Sequence, residues 1–161
     1  MDHDAKAVAN AFYKIARKDS RWLTNMQMQK LVYIAHGFYL GALDEPLFRD
    51  RVYAWQFGPV IPPLYDALKE YGADVVRKRL ETSTPPIEPE STESKVIEVV
   101  WAGYGGFSGP ELSAMTHKPG SPWDQVWEAG KKRPIPTETI AAYYRQLINA
   151  SGILGQIRAE V

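Results

Sequence analysis

The sequence predicts a mainly α fold of about seven helices with a small antiparallel β element, one compact α+β domain around a central apolar helix at 25–42. Three observations predict it. Apolar residues recur at helical spacing in most segments. A single short run, RVYAWQF at 51–57, is β-branched and aromatic. Segment 25–42 is apolar around most of its circumference, and such a helix belongs inside a domain. The 161 residues suffice for one domain, 1–161, and hardly for two.

In chain order, residues 4–18 form an amphipathic helix with Ala5, Val8, Phe12, Ile15 and Ala16 in register. Thr24, followed three positions later by Gln27, is a capping box that starts the central helix. Met28, Leu31, Val32, Ala35, Tyr39 and Ala42 make its main stripe. Met26, Tyr33, Ile34 and Leu40 cover much of the other side. Only Gln27, Gln29, Lys30 and His36 interrupt it, as a polar strip.

The run 51–57 is a strand, with its partner either 75–83 or 46–49. Tyr53, Trp55 and Phe57 share a face, expected to pack on the central helix. Gly58 ends the strand, Pro59 fixes φ after it, and Pro62 and Pro63 suit a first helical turn. This stretch reads first as a strand-to-helix corner and second as a ligand site. Segment 81–94, ETSTPPIEPESTES, is acidic and nearly free of large apolar residues, which predicts an exposed, mobile linker.

A helix carrying Val96, Ile97, Val100, Trp101 and Tyr104 follows. Ser108 with Glu111 caps the next, Ser121 and Pro122 start a third that runs to a stop at Gly130, and Thr137 caps the last.

Composition excludes several classes. With no cysteine there is no disulfide or thiolate site, which suits a reducing cytoplasm. No apolar run is long enough for a membrane helix, so no membrane partner is expected. Formal net charge is zero, which argues against nucleic acid; RKR at 77–79 and KKR at 131–133 are the basic clusters. His3, His36 and His117 have no metal-ligand spacing, so no metal or cofactor is expected. His36 reads as a hydrogen-bonded helix histidine, and His117 as a group satisfying carbonyls at a helix end. GYGGFSG at 103–109 has the wrong spacing for a phosphate loop and reads as an interhelical turn. No pair of carboxylates has a spacing that defines a site, so residue chemistry disfavours an enzyme.

Three stretches carry a family resemblance: LTNMQMQKLVYIAHGFYL (23–40), PLFRDRVYAWQFGPVIPPLYDAL (46–68) and LSAMTHKPGSPW (112–123). In this order they resemble the Panacea domain of bacterial antitoxins, the SocA-like or phage-associated GepA-like proteins. Met28 stands where that pattern commonly has leucine. The resemblance implies an antitoxin that neutralises a cognate protein toxin encoded by a neighbouring gene. It also implies a second mode, an adaptor delivering the toxin to the ClpXP protease. The candidate toxin-binding residues are Lys30, Tyr33, His36, Tyr53, Trp55, Phe57, Thr116, His117 and Trp123, each aromatic having core packing as its other reading. Thr24, Gln27, Gly58, Pro59, Pro62, Ser121 and Pro122 are the motif's structural residues. A DNA-binding autoregulator and an enzyme using His36 or His117 are the alternative functions.

Overall fold

The computed structural model describes residues 3–152. The remainder of the expected 1–161 domain lies outside the described residues. Seven α-helices and three short strands follow one another as α1 Ala5–Lys18, α2 Asn25–Leu43, β1 Tyr53–Trp55, β2 Gly58–Val60, α3 Pro62–Leu68, α4 Thr92–Tyr104, α5 Gly109–Thr116, α6 Pro122–Val126, β3 Arg133–Pro134 and α7 Thr137–Ser151. The mainly α class with a small antiparallel sheet is as the periodicity indicated.

Helix α2 is the axis. Its capping box forms: the Thr24 hydroxyl accepts from the Gln27 amide, and Gln27 returns a bond to the Thr24 amide. Residues Lys30 to Gly41 are all buried, and α1, α4, α5 and α7 pack around them. The closest approach is to α7. A Cβ on Gly37 would collide with the Tyr144 ring, and one on Gly41 would sit 2.8 Å from the Arg145 amide nitrogen. Two glycines one helical turn apart thus let the α7 backbone settle against α2, with Tyr144 edge-on to Tyr33 and Phe38.

The sheet differs from the expectation. Neither 75–83 nor 46–49 pairs with the strand. β1 lies between β2 and β3, both antiparallel, with Trp55 opposite Gly58 and Tyr53 opposite Pro134. The strand therefore stops at Trp55, turns through Gln56 and Phe57, and Gly58 opens the return strand. Both edge strands carry a proline, which lacks the N–H that an edge would offer to another chain. Val52 and Ala54 are the buried side of this ribbon. Tyr53 and Trp55 face outward and Phe57 sits in the turn, the reverse of the expected packing, because the alternation of the strand turns Val52 and Ala54 inward.

Three further boundaries shift. Helix α4 begins at Thr92, capped by the Ser91 hydroxyl, so the last residues of the 81–94 segment are helical. Helix α6 ends at Val126, short of Gly130. Thr137 is the first residue of α7 and not its cap; Pro136 precedes it without a side-chain bond. Segment 80–85 runs along the start of α1. Thr82 donates to Asp4 at 2.6 Å, the Leu80 amide to Asn10 at 2.7 Å, and His3 Nδ1 lies 2.9 Å from the Pro85 carbonyl.

Candidate functional site

The β1–β2 turn joins the second and third sequence motifs. Gly58 has φ +126°, a conformation that a side chain resists. A Cβ there would also stand 3.1 Å from Lys30 Nζ and 3.8 Å from His117 Cβ. The bare glycine leaves room for the Lys30 ammonium, which donates to the Pro59 carbonyl at 3.1 Å. From the other side, the Trp123 indole N–H donates to the Trp55 carbonyl at 2.6 Å. His117 meets Trp123 edge-on at 5.5 Å, and its Nδ1 lies 2.6 Å from the Ser113 carbonyl. Ser121 caps α6 through the Asp124 amide, with Pro122 in the first turn, and this aims Trp123 at the hairpin.

Beside the turn lies an open cleft of about 480 Å³. Met26, Trp55, Phe57, Val60 and Tyr65 form its apolar walls. Tyr65 meets Trp55 edge-on at 5.1 Å, and Lys132 Nζ sits 4.2 Å from the Trp55 ring centroid. Phe57, at the hairpin tip, is 78 % exposed, the most exposed large hydrophobic side chain among the described residues. Lys30 lines the inner wall at 7 % exposure. It has no ion pair among the described residues, and none of the residues lining the cleft is acidic. Burial alone pulls its ammonium from 10.5 to about 8, so it stays mostly charged near neutrality.

The candidate residues separate into three groups. Lys30, Trp55 and Phe57 line the cleft, and His117 and Trp123 brace it from behind. Tyr53 is partly exposed on the outer face of β1 but does not line it. Tyr33, His36 and Thr116 are enclosed in the interior. Tyr33 presents its ring to Tyr144, edge-on at 6.1 Å between centroids. His36 stacks on Phe48 at 3.9 Å and accepts from the Leu47 amide at 3.3 Å; burial pulls its pKa down to about 3, so it is neutral. The polar strip drawn for the central helix is therefore not a solvated face at Lys30 or His36. Thr116 donates to the Ser113 carbonyl at 2.9 Å.

Sequence reasoning missed Met26, Val60, Tyr65 and Lys132 as cleft residues. Tyr65 had a signal, since it closes the proline-rich motif three residues after Pro62. Met26 had one too: it lies on the same helix, four positions before Lys30 and so on the same face. Lys132 arrives from a distant segment and had none. Among the described residues, no group of three or more His, Asp or Glu converges as a metal site, and no helix is long and apolar enough to cross a membrane.

Fold and site together define a small, mainly α domain whose sequence motifs meet at an aromatic surface cleft. Residues 28–124 match the family described as "Antitoxin SocA-like, Panacea domain". The chain is also 32 % identical over 133 residues to Antitoxin SocA of Caulobacter vibrioides (strain NA1000 / CB15N), covering 76 % of this chain and 70 % of that protein. The chain belongs to the SocA-like antitoxin family. No solved structure matches it.

Proposed function

We propose that this chain is an antitoxin that binds a cognate protein toxin, encoded by a neighbouring gene, through the face around the β1–β2 hairpin. The observation that carries the reading is the cleft. An antitoxin acting by contact needs a rigid patch with exposed aromatic anchors and a polar rim. Phe57, Trp55 and Tyr65 supply the anchors, and the Lys30–Pro59 and Trp123–Trp55 bonds supply the rigidity. We place the interaction in the cytoplasm, in keeping with the family and with a chain free of cysteine.

Two modes follow from contact with a toxin: blocking it directly, or delivering it to ClpXP. Segment 81–94 is the candidate protease-facing tether in the second mode. The DNA-binding alternative gains no support, because the 131–133 cluster is engaged: Lys131 and Arg133 pair with Glu128 at 2.8 Å and 3.2 Å, and Lys132 lies over Trp55. Support for a histidine enzyme is equally thin, with His36 enclosed against Phe48 and His117 held at Ser113.

Co-expression with the adjacent small gene tests the reading. The toxin alone is expected to arrest growth, the pair to grow, and the two proteins to co-purify. Arrest that this chain does not relieve, for every adjacent small gene, overturns it. In the adaptor mode, the toxin becomes short-lived only when this chain and the protease are both present.

A further inference from the structure

Lys30 is a buried cation with no counter-ion among the described residues. Desolvating an ammonium is costly, and a charge is normally retained in such a place only when something pairs with it. Among the described residues only one of its three N–H groups meets a protein acceptor, the Pro59 carbonyl. Its surroundings are built to keep it. Gly58 carries no Cβ where one would crowd the ammonium, and Lys30 lines the cleft directly. The wall around it is apolar, and Asn25, Gln29, Gln56 and Ser113 add neutral hydrogen-bonding groups. A second cation, Lys132, stands against Trp55. In a chain with equal numbers of acidic and basic residues, a cleft lined by two lysines and no carboxylate is polarised by placement.

We infer that the cleft receives an apolar segment of the partner polypeptide bearing a carboxylate, which pairs with Lys30 while neighbouring apolar side chains lie against Trp55, Phe57 and Tyr65. The inference deepens the toxin-binding reading and rests on it for the identity of the partner. A carboxylate brought in by the partner would satisfy the ammonium that the fold leaves uncompensated. It would also make recognition selective, because a neutral apolar segment of the same shape leaves Lys30 unpaired in a newly closed site. The rim lysine would attract the same charge during approach.

The experiment measures binding of the adjacent-gene toxin to the full chain by calorimetry. Phe57→Asp and Phe57→Lys remove the same ring from an exposed tip and place opposite charges at the mouth. Phe57→Asp is expected to bind on the order of tenfold more weakly than Phe57→Lys. Lys30→Met, which keeps the bulk and removes the charge, is expected to weaken binding on the order of tenfold while still showing a cooperative melting transition. Equal binding by the two Phe57 variants, or unchanged binding by folded Lys30→Met, overturns the carboxylate and leaves toxin binding intact. A dimer of the chain that Phe57→Asp dissociates, or tighter toxin binding on Glu160→Gln, assigns the cleft to a second copy or to residues 153–161 and also overturns it.

If the wild-type chain binds no adjacent-gene product, the toxin reading fails, and a displayed random-peptide library panned on the full chain decides the cleft. Recovered peptides with Asp or Glu inside an apolar run, bound by wild type and lost on Lys30→Met, support it. An empty selection, acid-free peptides, or equal binding to Lys30→Met overturns it.

Discussion

The indole N–H of Trp123 donates to the backbone carbonyl of Trp55 at 2.6 Å, across 68 positions of sequence. This bond ties α6 to the middle strand of the sheet, and Trp123 is itself buried. Trp123→Phe keeps most of the ring and removes the donor to the Trp55 carbonyl. A loss of about 1–2 kcal/mol in chemical unfolding is expected. Weaker toxin binding should accompany it, because the cleft wall formed by Trp55 is then less firmly held.

Gly37→Ala should be more damaging than its size implies. The added methyl meets the face of Tyr144, a buried ring that also contacts Phe38, so it cannot swing away freely. Overpacking of this kind costs about 1–3 kcal/mol. Urea unfolding measures it, and a change near zero would show that α7 can shift along α2 without loss.

Acid should weaken the fold through His36. The interior holds its imidazole neutral with a pKa of about 3, while the unfolded chain protonates near 6.5. Between those values the unfolded state binds the extra proton, so stability falls as pH drops from 6.5 toward 3. His36→Gln should flatten that branch by about 1.4 kcal/mol per pH unit at most.

Lys30 gives the opposite end of the profile. Its folded pKa of about 8 lies below the unfolded 10.5, so the unfolded state holds the extra proton in that window and stability rises with pH from 8 toward 10. Lys30→Met removes the rise; near neutrality the desolvation it relieves is offset by loss of the buried Pro59 hydrogen bond. Above pH 10 buried tyrosines oppose the trend: burial pushes the Tyr39 hydroxyl up to about 12, so ionisation occurs first in the unfolded chain and stability falls. Denaturation midpoints from pH 7 to 10 check the sign.

Much of this was readable from residues alone, for local reasons. Thr24 with Gln27, and Ser108 with Glu111, announce helix starts because each bond lies within four residues. The apolar circumference of α2 announces its burial. The strand was read inside out because RVYAWQF is apolar on both faces, so alternation cannot say whether Val52 and Ala54 or the three rings point inward. Lys30 looked like part of a polar strip because what encloses it, Gly58 and Pro59, folds over from 28 and 29 positions away. β3 is two residues long and contains proline, too little pattern to recognise.

Hydrogen exchange of the chain alone and in complex with the adjacent-gene toxin tests most directly where the partner sits. Binding through the hairpin predicts new protection at residues 53–60, at 26–30 of α2 and around Lys132, with α1 and segment 80–85 unchanged. Protection confined to α1, to α4 or to segment 81–94, with the hairpin exchanging as before, would contradict it.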